Sequence, residues 1–545
     1  MLTIESYLKE RIDQALQKLQ FPSIEYVFER PRVAEHGDIS VNLAMQLARE
    51  VKQNPRQIAT QIVAALEVDP ERIAKVEIAG PGFINFFLAK TELQQAVKRI
   101  LEAGSAYGRF DLAKGQKALV EFVSANPTGP LTVGHGRQAV LGDTIANLLE
   151  WLGYQVTREY YFNNAGRQMR ILADSVRLRY RELLGEAIEF PEEYYQGEYI
   201  RDIAAHIREQ YGDSLKDTED LTIFKETAER LIFEDIKKTL ARLRIHFDSF
   251  FNELDLYESG EIDRVIEKFK ELGLAYEKDG ALWFKSTEFG LDSDRVIVKS
   301  TGEPTYRLPD MAYHKTKFDR GYDLMIDLFG ADHIATYPDV LAGVRALGYD
   351  ADRVKVLIHQ FVTFYEGNQK IKMSTRKATY VTLDELIDEV GPDVTRWFFL
   401  MRAMQTHLNF DLKLAKTQSE ENPVFYNQYA HARICSILRN AEEMGVHFQG
   451  TTDFSPLNEP AEMELILKLM EFPKIVLKCA TEYEPHLLLT YMSEVSTAFH
   501  KFYTECRVLG EAPEITQARL GLCLATRTVL ANGFHILSIT APERM

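Results

Sequence analysis

Residues 126–137 read Asn-Pro-Thr-Gly-Pro-Leu-Thr-Val-Gly-His-Gly-Arg, and neither a strand nor a helix can continue through the first five of them, 126–130. A glycine-bearing loop that ends an apolar run and opens a helix turns backbone N–H groups and the helix N-terminus toward a ligand. That geometry suits phosphate or a nucleotide. Gly134 leaves room for a flat base or ribose, and His135 places an imidazole at the helix start, where it can donate to phosphate oxygens. Taken alone, the same residues fit a plain turn equally well. Further on, Lys370, Lys372, Arg376 and Lys377 fall within eight residues. Such a run is ordinarily a solvated surface. As a clamp on a triphosphate it would stabilise the charge that moves toward pyrophosphate when the α-phosphate is attacked.

The elements around these loops set the fold class. Residues 118–123 predict a buried strand. Val140, Leu141, Ile145, Leu148, Leu149 and Leu152 repeat with helical period, Gly153 stops the helix, and 156–161 predict a second strand. Strand, loop, helix, strand is the unit of a parallel α/β sheet. Strand-like segments return at 296–298, 324–328 and 354–358. Residues 168 to about 260 are charged and helix-rich, an insertion between sheet halves. From about 384 the pattern is helical to the end, with breaks at Pro423, Pro456 and Pro513. Before the core, 1–108 hold two helical patterns and strands at 75–79 and 83–87, followed by a small, polar linker around 104–115.

Composition bounds the rest. A chain of 545 residues with 46% hydrophobic and 27% charged residues is ordinary for a soluble protein of about three to four domains. No apolar run reaches membrane-span length, and the N-terminus lacks the pattern of a signal peptide. The four cysteines, Cys435, Cys479, Cys506 and Cys523, form no C-x-x-C pair, which points to reduced thiols in the cytoplasm and to no zinc. The net charge of −17 leans against a polyanionic partner, although a local basic surface suffices for one.

Against that lean stand the motifs. Residues 130–135, Pro-Leu-Thr-Val-Gly-His, resemble the HIGH motif of class I aminoacyl-tRNA synthetases, and 372–376, Lys-Met-Ser-Thr-Arg, resemble the KMSKS motif in the expected order. The run 120–130, Gly142-Asp143 and residues 161–166 resemble arginyl-tRNA synthetases in particular. Weaker resemblance extends over nearly the whole chain and is thinnest in the insertion, where residues 195–199 also fit. It implies three domains: an N-terminal α+β domain over 1–108 that contacts tRNA, a Rossmann-like parallel-sheet catalytic core over 109–400, and a C-terminal all-α helical bundle over 401–545 that binds the anticodon.

The resemblance also carries roles. His135, Lys372 and Ser374 are the implied catalytic residues. Thr132, Gly134, Gly136, Gly330, Asp332, His359 and Met373 join them around ATP, with Asp332 on the ribose and His359 near adenine. Magnesium comes with the ATP, and no metal site of the protein's own is implied. Arginine is a planar five-donor fork, so its pocket needs acids and an aromatic wall. Tyr306 and Asp310 match the family pair four residues apart, Asn126 matches the asparagine on the substrate backbone, and Glu121 and Glu253 are further candidates. Pro309 stands where many members have arginine. For tRNA, Asn42 is the candidate at the N-terminal end. Tyr426, Tyr429 and Arg433 are the candidates in the helical domain, where they could stack on unpaired bases or simply form core. Residues 393–396, Asp-Val-Thr-Arg, keep only the ends of the tetrapeptide that names that domain.

The implied activity is ATP-dependent ligation of L-arginine to arginine tRNA, by a cytoplasmic monomer that binds neither DNA nor membrane and needs bound tRNA for activation. One departure keeps another reading open. Thr132 replaces the first histidine of the motif, and a threonine donates one hydrogen bond without positive charge. A tRNA-binding paralogue without catalysis therefore stays in play, as does a nucleotidyl-transferring enzyme of the same fold that uses no tRNA.

Overall fold

In the structure, a computed structural model, residues 4–31, 33–331, 336–367, 369–371 and 382–545 are described. The chain opens with α1 (Ile4–Lys18), β1 (Phe28–Glu29), β2 (Ile39–Val41), α2 (Leu43–Val51), α3 (Pro55–Ala65), β3 (Ile73–Ala79) and β4 (Phe83–Leu88). These strands form an antiparallel sheet in the order β1-β2-β4-β3, and α4 (Lys90–Ala103) leads out of it.

The main sheet is parallel throughout. It takes β5 (Lys117–Glu121), then β6 (Gln155–Phe162) after the long α5 (Val133–Trp151), then β7 (Ser249–Asn252) after the helices α6 (Gly166–Leu183), α7 (Glu198–Tyr211) and α8 (Thr222–Arg242). Beyond β7 lie α9 (Glu253–Glu258), α10 (Glu261–Glu271) and a separate antiparallel sheet of β8 (Ala275–Lys278), β9 (Ala281–Phe284) and β10 (Arg295–Val298). The chain then returns through α11 (Arg307–Asp319), β11 (Leu324–Gly330), α12 (Tyr337–Ala346) and β12 (Val354–His359). The resulting order, β12-β11-β5-β6-β7, reverses direction between β5 and β11, the topological switch point where such sheets bind ligands at their carboxyl ends. Burial explains the central strand, since Ala118, Leu119 and Val120 are all 0% exposed.

Three expectations need correcting. Residues 168–260 are not helical throughout, because β7 lies among them as the edge strand of the main sheet. Residues 296–298 belong to the separate sheet. Nor is the chain purely helical from about 384, because one strand follows there. β13 (Val362–Glu366) and β14 (Gln369–Ile371) form a hairpin, and after α13 (Leu383–Val390) and α14 (Pro392–Leu400) the strand β15 (Leu408–Asp411) pairs parallel to β13. Beyond α15 (Leu412–Lys416) the chain is helical: α16 (Pro423–Glu443), α17 (Pro460–Met470), α18 (Phe472–Glu482), α19 (His486–Glu505) and α20 (Pro513–Ile536). All four cysteines are buried free thiols. Among the described residues no helix is long and apolar enough to cross a membrane.

The helix α5 is buried on nearly every side, between the sheet and α14, α18 and α20. Gly142 makes this possible, because a Cβ there would lie 2.2 Å from Phe122. Arg396 ties the layers together. It is 0% exposed and donates to Leu537 O at 2.6 Å, Leu243 O at 2.7 Å and Asp143 Oδ2 at 2.7 Å. Without it Asp143 is left with longer contacts, such as that from Arg158 Nε at 3.3 Å, and the two carbonyls lose this donor. Arg396→Met is therefore expected to destabilise the protein by about 3 to 5 kcal/mol, seen as a lower urea midpoint; an unchanged midpoint would show the pair to be dispensable.

Candidate active site

The turn after β5 is strained and tightly held. Val123 and Ser124 have φ of 68° and 44°, and a β-branched residue in the left-handed region persists only where its surroundings over-determine it. Here they do. Ser124 Oγ donates to Glu121 Oε1 at 3.2 Å and accepts from the Tyr161 N–H at 3.2 Å, and Tyr160 OH donates to Ala125 O at 2.8 Å. Asn126 accepts from the Asn163 N–H at 3.0 Å and donates to Gln168 Oε1 at 3.0 Å. Tyr199, from the insertion, donates to Thr128 O at 2.7 Å, and a Cβ on Gly129 would come 2.9 Å from its hydroxyl.

Thr132 caps α5, and His135 folds back on it, with Nδ1 accepting the Thr132 N–H at 3.1 Å. With Nδ1 an acceptor, the neutral ring carries its hydrogen on Nε2. Burial holds the His135 pKa below the ordinary histidine range, so the ring is a neutral donor at the positive end of a 19-residue helix. Gly134 is exposed and a Cβ there would meet only Thr132 Oγ1, at 3.6 Å, so the surface beside it is open. Gly136, also expected around ATP, turns the side where a Cβ would stand inward. It is buried, and a Cβ there would lie 2.6 Å from Leu383 and 2.9 Å from Phe399. Its missing side chain lets α13 and α14 pack on α5.

Arg137, 0% exposed, donates to Gln360 O at 2.6 Å, Thr406 O at 3.1 Å and Ala403 O at 3.1 Å. Burial pushes its pKa down to about 10. It joins the start of α5 to the segments entering β13 and β15. Leu383 N–H donates to Leu131 O at 2.9 Å and Thr132 bridges Thr382, so α13 is fastened to the same turn. Lys372, Met373 and Ser374 lie outside the described residues, as does Asp332. Gly330 ends β11 in register with His359, and His359 is buried, 7% exposed. Gln138 donates to Leu328 O and so holds α5 on β11.

Across the switch point, α11 presents acids. Pro309 falls in its first turn, where no N–H is needed, so the proline leaves the helix intact. Asp310 is raised to about 7, first by burial and further by the charges of Glu121 and Glu253, with His314 and Lys317 opposing. Glu253 accepts from Tyr161 OH at 2.8 Å and Asn163 Nδ2 at 2.8 Å. Glu121 is buried at the end of β5 and accepts from Lys317 at 2.7 Å. The aromatic wall differs from the expected one. Tyr306 is 90% exposed at the cap of α11, and the rings packed beside this acidic group are Tyr161, Phe251 and Tyr313, with centroids 4.6 to 4.7 Å from Tyr313. Sequence reasoning missed Lys317, His314 and Asp327. A Lys and a His in a charged helix look solvated, and only the crevice between β5 and β11 reveals their burial.

At the two ends the remaining candidates separate widely. Asn42 precedes α2 and accepts from Gln46 at 2.9 Å. Tyr426, Tyr429 and Arg433 of α16 meet α19: Tyr426 and Tyr429 lie 5.2 and 5.8 Å from the His500 ring, and Arg433 lies 5.0 Å over Tyr503. His500 and Tyr503 are distant in sequence and gave no signal of their own.

Comparison with known proteins agrees along the whole chain. Residues 96–398 match the model of the tRNA synthetases class I (R) catalytic domain, residues 6–88 the arginyl tRNA synthetase N terminal domain, and residues 427–545 the DALR anticodon binding domain. The arginine–tRNA ligase of Salinibacter ruber is 51% identical, covering 99% of this chain and 100% of the relative. That of Prosthecochloris aestuarii is also 51% identical, over 99% and 100%. The solved arginyl-tRNA synthetase of Thermus thermophilus superposes with a TM-score of 0.79, covering 99% of each chain at 22% identity, a likeness of fold.

Proposed function

The chain belongs to the arginyl-tRNA synthetase family of class I enzymes, and from that premise we propose how its geometry carries out ATP-dependent ligation of arginine to tRNA. ATP lies in the crevice at the carboxyl ends of β5 and β11. Its phosphates face the N-terminus of α5 and His135 Nε2, its base lies over the open surface beside Gly134 toward His359, and its ribose is held by Asp332. Magnesium enters with the nucleotide, held by phosphate oxygens.

Arginine lies with its backbone toward Asn126, in the turn after β5, and Glu121, at the end of that strand, and its guanidinium toward Asp310 and Glu253. Tyr306, exposed at the cap of α11, covers it. The substrate carboxylate attacks the α-phosphorus. A new P–O bond forms, the bond to the β-phosphate breaks, and pyrophosphate leaves with the charge that Lys372 and Ser374 stabilise. The 2′-hydroxyl of the terminal adenosine of tRNA then attacks the carbonyl carbon and AMP departs. Positioning supplies much of the acceleration. The clustered Tyr426, Tyr429, Arg433, His500 and Tyr503 meet anticodon bases, and Asn42 reaches the other end of the tRNA. The enzyme works as a cytoplasmic monomer over three domains, 1–108, 109–400 and 401–545, and activates arginine only with tRNA bound.

The observation that carries this reading is the convergence of the α5 turn and the acidic face of α11 on one switch point. Charging of unfractionated tRNA with each of the twenty amino acids tests it. Arginine alone is expected to be accepted, and Lys372→Ala to lose nearly all activity. Binding of tRNA without charging would return the chain to the non-catalytic reading opened by Thr132.

A further inference from the structure

On α11, Asp310, Tyr313, His314 and Lys317 follow at three- and four-residue steps and share one face. Lys317 is the innermost, 0% exposed. Its ammonium donates to Glu121 Oε2 at 2.7 Å and Asp327 Oδ1 at 2.6 Å, and lies 4.3 Å over the Tyr313 ring. Asp327 also meets His314 Nε2 at 2.7 Å, while His314 Nδ1 faces the backbone oxygen of Asp310 at 2.8 Å. Two buried carboxylates are thus matched by a lysine and by a histidine whose ring nitrogens both face acceptors. A buried charge persists only with such partners. In agreement, the neighbouring Lys317 and His314 hold Asp327 well below the usual carboxylate range despite burial.

We propose that Lys317, which touches no substrate, is a positioning residue of the arginine pocket: it fixes the Glu121 carboxylate and cancels the charges of Glu121 and Asp327, leaving Asp310 and Glu253 to attract the guanidinium. This rests on the reading of Asp310 as the guanidinium partner. Asp310 is faced by Glu121 from β5, Tyr161 from β6, Glu253 and Tyr257 from α9, and His314 and Lys317 on its own helix. With a neutral side chain at 317, the positive charge that opposes protonation of Asp310 is lost and Asp310 keeps its proton to higher pH.

The test measures kcat/KM for arginine in tRNA charging by the full-length enzyme from pH 5.5 to 9. The wild-type acid limb is expected near Asp310's value of about 7. In Lys317→Met it moves up by about one unit, and kcat/KM at pH 7 falls about fivefold, while the profile for ATP at saturating arginine stays in place. A merely structural role would lower both without moving the limb. Lys317→Met/Asp327→Asn removes a buried anion together with the cation, which guards against misfolding, and is expected to show the same displacement. An unmoved limb in both variants overturns the proposal. Asp310→Asn separates the failures: if it abolishes the limb while Lys317→Met leaves it unmoved, only the role of Lys317 falls. If it keeps wild-type kcat/KM for arginine, the pocket reading falls and takes the proposal with it.

Discussion

Asp310→Asn is expected to lower kcat/KM for arginine by about a thousandfold while making the substrate-free protein more stable at alkaline pH. The kinetic part follows from the loss of a desolvated charge partner, which costs roughly 2 to 5 kcal/mol. The stability part follows from the pKa of about 7, raised chiefly by burial. In the native state this carboxyl binds a proton between about pH 4 and 7 that the unfolded chain has released. Stability therefore falls as pH rises through that window. Its contribution is fully present below pH 4 and lost above 7, where the native protein holds an anion among Glu121 and Glu253. An amide carries no such charge, so the variant should gain on the order of 1 to 3 kcal/mol at pH 8.5 and little at pH 4. Arginine should close the gap for the wild type alone, because its guanidinium relieves the repulsion. Thermal unfolding at both pH values, with and without arginine, reads this directly. Equal melting temperatures at pH 8.5, or a near-normal KM for arginine, would refute it.

That pairing of stability and function explains which parts of the site were legible in sequence. β5, α5 and β11 announce themselves because apolar runs buried on nearly every side have few other uses, β6 and β12 are half-buried and legible chiefly by their β-branched and aromatic residues, and the turn between β5 and α5 is written in glycine and proline. β7 is hidden because its four residues are only half-buried and follow three charged helices, so the sequence does not place Glu253, directly after it, at the end of a sheet strand. β15 is equally short and pairs with a strand far back in the chain. For Gly136 the motif gives the residue type without its direction. The structure turns it toward α13 and α14. Asp393 and Arg396, the retained ends of the partly matched tetrapeptide, accept from Arg244 at 2.8 Å and hold Asp143 at 2.7 Å, respectively. The lost middle pair, Val394 and Thr395, is buried. The net charge of −17 misled because a tRNA needs a local surface, which a sum over the chain does not describe.

The second large effect concerns the substituted motif. His135→Ala is expected to reduce kcat by about 10² to 10³, the usual loss for one donor aimed at transition-state charge, whereas Thr132→His should change kcat less than tenfold. The asymmetry follows from how the turn is built. Thr132 is the cap of α5, and both its backbone and its hydroxyl lie against His135 Nδ1, at 3.1 and 3.2 Å, while its strand-like bridge to Thr382 anchors α13. Its work is to fix the tautomer and direction of His135, and the backbone does that whichever side chain stands there. His135 in turn is neutral, held so by burial, so the α5 end offers hydrogen bonds and a helix dipole rather than a localised charge. On the proposed function, cationic stabilisation then falls to Lys372, with Arg137, buried with three carbonyl partners, adding a fixed positive field behind the turn. A histidine at 132 would also forfeit a favourable capping residue, a loss of about 1 kcal/mol that offsets any gain in charge. Kinetics at saturating arginine and tRNA, with KM for ATP measured alongside, separate these effects. A rise in kcat beyond tenfold in Thr132→His would show that the threonine is a true deficit and that the turn needs charge as well as direction.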